Sequence, residues 1–368
     1  MPWLSDLRRA VQIFVGVEQP RAERQTASGL AASYGLDPAL TPAGIKNISA
    51  TGIYLVTEKR LRTGELVTLT LEEEGQPENS SELQISVHAR VARQGEDGIG
   101  LSFVLPPGLD INLWGVLVRN IVVLSDQAQI AQMFRTLRTV LFLCRICQSG
   151  AAEAIILLGG QLDSERTENV VKIALAAENH LASEPDASRM RAHPKLVANI
   201  LKEGAWSPDE VIMQLWTGLL VSSCTVDAAD DSNQVFANLL IHMTANQAKI
   251  LIHGCERVLA SEPGGENSTS APIVLNTEEM VALTGQRDLA RNASDVSYLF
   301  YLGMIPKLLD FKSYRDIESF DITPTSLGLE LFKHCHGDRG KIEPHLVEAA
   351  SAHLLNLFPP PQPVVSDN

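Results

Sequence analysis

Asn47, Ser49 and Gly52 stand in the stretch Ile45 to Leu55, IKNISATGIYL, between two runs that read as strand. The amide and the hydroxyl each donate and accept hydrogen bonds, and a glycine can take positive φ, so the trio would form a rigid rim able to hydrogen-bond the edge of a ligand. Arg21 and Arg24 lie upstream in VEQPRAERQTASG, whose proline and polar residues mark an exposed loop. Lys46, Lys59, Arg60 and Arg62 flank the same turn and add positive potential. A basic patch of this kind can take a compact phosphate ligand. The chemistry indicated is binding, with no bond made or broken.

Other reactive residue types lack partners in sequence. Cys144-x-x-Cys147 has the spacing of a redox or zinc half-site, but it lies within the apolar FLCRICQ, with no second Cys/His pair nearby, and reads as core. His334-Cys335-His336 closes a predicted helix, where residues two apart face different ways. Charge complementarity to the helix C-terminus accounts for both histidines more simply than a metal does. The chain contains no Gly-rich loop with lysine, no nucleophile elbow and no metalloprotease helix motif. No cofactor, metal site or enzymatic activity is expected.

The elements that must position the rim are strands. Leu83 to Val91 alternates apolar Leu83, Ile85, Val87, Ala89 and Val91 with polar residues, and Leu66 to Leu71 and Ile99 to Phe103 alternate likewise. Turn signals at Thr63-Gly64, Glu72 to Ser81 and Glu96-Asp97-Gly98 separate them. Five or six short strands without intervening helices predict a small antiparallel barrel. Residues 1–17 would be an N-terminal helix or lead-in, packed on its own domain, and 18–125 the barrel domain.

After Pro106-Pro107-Gly108 an apolar stretch runs from Ile111 to Leu124, and helical periodicity follows in Met133, Leu137, Val140 and Leu141, then Val170, Ile173 and Ala174, then Val211, Leu215 and Leu219. This predicts a helical domain over 126–262, ended by the connector SEPGGENSTSA. Over 272–340, helices opening at Asn276 and at Asn292 to Ser294, a strand at Ser319 to Ile322 and a helix after Thr323-Pro324 look like a winged-helix-type unit. Residues 341–368, ending PPPQPVVSDN, are expected to be a partly disordered tail. The fold class is multidomain α+β.

Charge narrows the partners. Of the 30 basic and 44 acidic residues, 1–62 hold eight and five, 63–125 three and nine, and 126–368 nineteen and thirty. A net charge of -14 opposes unspecific attraction to nucleic acid or anionic membrane. The winged unit offers no basic face either, with seven Lys or Arg against ten Asp or Glu over 276–340, so DNA binding is not expected. No apolar run approaches the roughly 18 residues that span a bilayer, and no signal peptide is read, so membrane insertion is not expected. Five scattered cysteines suit reduced thiols in a cytoplasmic protein.

Arg21 and Arg24, the spaced Asn47-Ile48-Ser49-Ala50-Thr51-Gly52 and the alternating strands closing on GIGLSFV resemble a PilZ domain over about residues 18 to 125. The resemblance implies a six-stranded barrel closing around cyclic di-GMP. Arg21 and Arg24 would meet the phosphates and guanine faces, and Asn47, Ser49 and Gly52 the base edge. A guanidinium suits that ligand because it binds phosphate bidentately and stacks on a purine, which lysine does not. Residues 130–340, with HPKLVANILKEGAWSPDEVIMQLWTGLL and FDITPTSLGLELFKHC, resemble the abortive-infection alpha-type family. Together these resemblances imply a bacterial, cytoplasmic cyclic di-GMP receptor whose helical half carries an output to a protein partner. The alternative is a non-enzymatic scaffold whose barrel no longer takes nucleotide.

Overall fold

The computed structural model describes residues 30–36, 39–73, 84–123, 126–156, 164–226, 230–261, 271–306 and 317–357. The expected lead-in over 1–17, the Arg21 to Arg24 loop, most of the Ser261 to Ala271 connector and the PPPQPVVSDN terminus lie outside them. The chain divides into two compact units, within residues 1–198 and 199–368. The border between these units falls beyond the one expected near residue 125, and the helix Gln127–Cys147 packs against the strand Gln84–Gln94.

In the first unit, β1 (Leu30–Leu36), β2 (Ala39–Ser49), β3 (Gly52–Val56), β4 (Leu66–Glu73), β5 (Gln84–Gln94) and β6 (Gly98–Val104) form a closed antiparallel barrel ordered β1-β2-β3-β6-β5-β4. Closure joins β1 to both β2 and β4, which leaves no open edge to recruit another chain. The alternation read in β5 is realised: Ile85, Val87, Ala89 and Val91 face the interior with Tyr34, Leu55, Leu69 and Ile99, while Ser86, His88 and Arg90 face out.

Helix α1 (Ile111–Val123) follows the barrel, with Trp114 fully buried edge-to-face on Phe103 at 5.1 Å between ring centroids. Asp126 accepts from the Ala128 amide and starts α2 (Gln127–Cys147), which packs against α1, β5 and α4 (Ser164–Ala182); α3 (Ala151–Ile156) lies between. Arg138 of α2 bonds Glu178 and Asn179 of α4 at 2.5 and 2.7 Å. Cys144 and Cys147 sit in this packed face as expected, and burial pushes the Cys144 thiol up to about 12. Helix α5 (Pro194–Gly204) crosses the border between the units.

The second unit holds α6 (Glu210–Ser222), started by Asp209, α7 (Gln234–Leu240) and the central α8 (Ala245–Ser261). It continues with β7 (Val274–Asn276), α9 (Thr277–Thr284), α10 (Leu289–Tyr301), β8 (Ser319–Asp321), α11 (Ser326–His334) and α12 (Pro344–Leu357). Helices α6, α9, α10 and α11 pack against α8. β7 and β8 pair antiparallel, bringing together strands separated in sequence by α9 and α10.

Three readings of this region are corrected. Helix α10 starts from Asp288, not from Asn292 to Ser294; Asn292 is fully buried inside it, bonding Thr284 and the Gln286 carbonyl. An asparagine that satisfies its amide on a neighbouring turn mimics a helix start in sequence. The supposed tail contains α12, whose Leu346 and Ala350 are buried. His334 does not act as a charge on the dipole: burial outweighs the pull of Glu330, Asp338 and Asp230 and lowers its pKa. His336 donates Nδ1–H to the Phe332 carbonyl at 2.7 Å.

Candidate functional site

The site is built on the β2–β3 hairpin and the strands beside it. Ser49 pairs with Gly52 across a two-residue turn, Ala50 and Thr51. The Ser49 hydroxyl donates to the Gly52 carbonyl at 3.1 Å and lies 3.4 Å from the Thr51 hydroxyl, so it holds the turn and keeps acceptor capacity for a ligand.

Gly52 is essential for a different reason from the one expected. It does not take positive φ; instead, a Cβ there would lie 2.2 Å from the Leu101 carbonyl oxygen of β6. The glycine permits close approach of neighbouring strands.

Two β-bulges decide what the outer wall displays. In β2 the register shifts between Ile45 and Asn47, leaving Lys46 as the extra residue, so Ile48 turns in while Asn47 and Ser49 turn out. In β5 it shifts between Val91 and Arg93, leaving Ala92 extra and putting Arg93 on the face of Gly100. One row of paired residues then runs across four strands: Asn47, Tyr54, Gly100 and Arg93. The next row is Ser49, Gly52, Ser102 and Arg90. Paired residues share a face, so both rows lie on the outer wall.

Among the described residues, the half-buried Asn47 amide has no hydrogen-bond partner. Tyr54 beside it is buried under two cations, Lys46 Nζ at 5.4 Å and the Arg93 guanidinium at 5.7 Å from its ring centroid. Its hydroxyl donates to Asp97 at 2.8 Å, and Lys46 meets the same carboxylate at 2.5 Å. Bonds from Lys46 and then Tyr54 hold the Asp97 carboxyl below its usual range, and the bond to Asp97 raises the Lys46 ammonium. Arg60 donates to the Gly95 and Glu96 carbonyls at 2.5 and 3.0 Å, pinning the β5–β6 turn, and Lys59 reaches Thr41 at 3.4 Å. Much of the positive charge expected around the rim is therefore spent on holding loops.

The fold brings Asn47, Ser49 and Gly52 together; Arg21 and Arg24 lie outside the described residues. Sequence reasoning missed Tyr54, Arg93 and Arg90. Arg90 stood in the polar phase of β5, a signal that was available, whereas strict alternation places Arg93 inward and only the bulge reverses it.

The chain is a six-stranded closed barrel with a hairpin rim on its outer wall, followed by helices. Residues 18–113 match the PilZ domain model, and residues 165–305 match the abortive infection alpha model. The first match ends within α1; the second runs from α4 to just beyond α10. No curated protein matches the chain. Among the described residues no helix is long and apolar enough to cross a membrane.

Proposed function

We propose that the chain is a cytoplasmic bacterial cyclic di-GMP receptor, non-enzymatic, in which the barrel senses nucleotide and the helical region carries the output to a protein partner. Asn47 donates to and accepts from a guanine edge, Ser49 supplies a hydroxyl acceptor beside it, and Gly52 keeps β3 close to β6 so that the rim is flat. Arg21 and Arg24 meet phosphates and guanine faces from the N-terminal side. The observation that carries this reading is the outward, unengaged amide of Asn47 next to the Ser49–Gly52 turn, within the segment that matches the PilZ domain model. An amide left half-buried without a partner is ready to exchange water for a ligand edge.

Binding would act by ordering the Arg21 to Arg24 segment across the barrel, and it shifts the output only if the two states of that segment differ in affinity. Residues 272–340 are read as a winged-helix-type unit for protein contact, a reading supported by the β7–β8 pair packed on α9 and by the excess of acidic over basic residues. Calorimetric titration of the full chain with cyclic di-GMP tests the proposal. Saturable heat and a raised melting temperature are expected. No heat and no thermal shift at high micromolar ligand would leave the scaffold reading in its place.

A further inference from the structure

Arg145, at the C-terminal end of α2, and Arg191 and His193, in the segment before α5, carry donors that the fold buries without an acceptor. The two segments run side by side. The Ala192 amide donates at 2.9 Å to the Ile146 carbonyl, one of the acceptors a helix end leaves unpaired, and a Cβ on Gly150 would fall 2.3 Å from Pro194 Cγ. Arg145 therefore stands beside Arg191 and His193, and α2 ends there on Gln148 at φ 51, the one non-glycine residue with positive φ among the described residues. The Arg145 guanidinium lies over the Phe142 ring, 5.4 Å from its centroid, with Nε and Nη2 buried and unpartnered. These two atoms form the edge with which a guanidinium holds an oxyanion bidentately. Arg191 is held through Nη1, which donates to the Ser188 and Met190 carbonyls at 2.8 and 2.7 Å, while its Nε is buried with no acceptor. His193 Nδ1 is buried and unpartnered in the same way. Among the described residues no carboxylate pairs with any of the three.

We infer that Arg145, Arg191 and His193 form a binding site for a tetrahedral oxyanion, the phosphate group of a small molecule, which does not depend on nucleotide at the hairpin rim. Buried N–H groups that meet no acceptor have lost their hydration for nothing, and two neighbouring cations repel each other; one bound anion offsets both. Phosphate suits the donors better than carboxylate does. Its oxygens point out in three dimensions, so that one edge takes the Arg145 fork while the others meet Arg191 and His193. The Phe142 ring and the two carbonyls on Arg191 fix the guanidinium planes before the ion arrives. All three residues are half-buried rather than enclosed, which leaves the ion an approach from solvent as the side chains rotate.

The test is titration of the full chain with inorganic phosphate against chloride at equal ionic strength, followed by the phosphorus NMR line width of the ion and by melting temperature, for wild type, Arg145→Lys, Arg191→Lys and Asn47→Ala. Wild type is expected to broaden the phosphate line saturably and to melt higher with phosphate than with chloride. Lysine keeps the charge and loses the fork, so Arg145→Lys and Arg191→Lys should each bind at least about ten-fold more weakly. Asn47→Ala, on the barrel wall, should bind phosphate as wild type does. Displacement of the phosphate by a nucleoside monophosphate assigns the site to a phosphate ester, and failure to displace assigns it to the free ion. No effect of phosphate beyond that of chloride, equal competition by acetate, wild-type affinity in either lysine variant, or loss of binding in Asn47→Ala alone would each overturn the site. Should Arg145→Lys fail to fold, Arg191→Lys decides.

Discussion

Asn47 and Arg93 occupy the two ends of one row across the barrel wall, and each is preceded by the extra residue of a β-bulge that turns it outward. Between them stand Tyr54 and Gly100, one filling the wall and the other leaving a gap. Had either strand kept strict alternation, its end of the row would point into the apolar interior.

Asn47→Ala is expected to leave stability within about 0.5 kcal/mol of wild type, since among the described residues its amide serves no internal bond. The same substitution should weaken cyclic di-GMP binding about ten-fold. Melting temperature and calorimetry on one preparation separate the two effects.

Gly52→Ala should behave in the opposite way. Its Cβ would lie 2.2 Å from the Leu101 carbonyl oxygen, which belongs to the backbone of β6 and cannot rotate aside. A loss of about 1–3 kcal/mol is expected in denaturant unfolding without any ligand. Gly100→Ala, whose nearest neighbours are atoms of the flexible Arg93 side chain, should cost far less.

The capping box at the start of α9 offers a test in the second unit. The Asn276 side chain accepts from the Glu279 amide and Glu279 accepts from the Asn276 amide, both at 2.9 Å. Asn276→Ala is expected to cost about 1 kcal/mol, read as a lowered midpoint in urea, while Asn276→Asp should retain most of the cap.

Acid should destabilise the second unit through His334. Burial depresses its folded pKa below the value near 6.5 that it has in the unfolded chain. The unfolded state therefore binds the proton first, and the contribution present above that value is lost as pH falls through it toward the folded pKa. Melting between pH 8 and pH 5 should show the loss, and His334→Gln should flatten it. An unchanged slope in the variant would assign the loss to other groups.

The five cysteines should resist a thiol reagent in the native protein. All are buried; burial raises the Cys144 and Cys255 thiols to about 12 and shifts Cys335 upward as well. Thiolate, the reacting species, is therefore scarce as well as covered. Release of the coloured product is expected to follow unfolding in denaturant, and rapid reaction in buffer would contradict the packing of α2 and α8.

The barrel was legible from sequence because its strands alternate cleanly: Ile85, Val87, Ala89 and Val91 announce one buried face without reference to any partner. The hairpin rim was legible for the same local reason, with Asn47, Ser49 and Gly52 packed into six residues. The start signal at Asn276 placed α9 correctly, since a cap is a contact within three residues. Asn292 misled because its bonds reach Thr284 and Gln286, a tertiary satisfaction that resembles a local start signal.

What only the folded chain decides is pairing. Whether Gly52 is needed for its φ or for the closeness of Leu101, whether Arg93 points in or out, and whether Lys46 is free or held by Asp97 all depend on which residue lies opposite across a strand. Sequence fixes the period of a strand. The register and the bulges that reset it arise when several strands settle together around one core, because shifting any one of them by a residue would exchange its buried face for its exposed one.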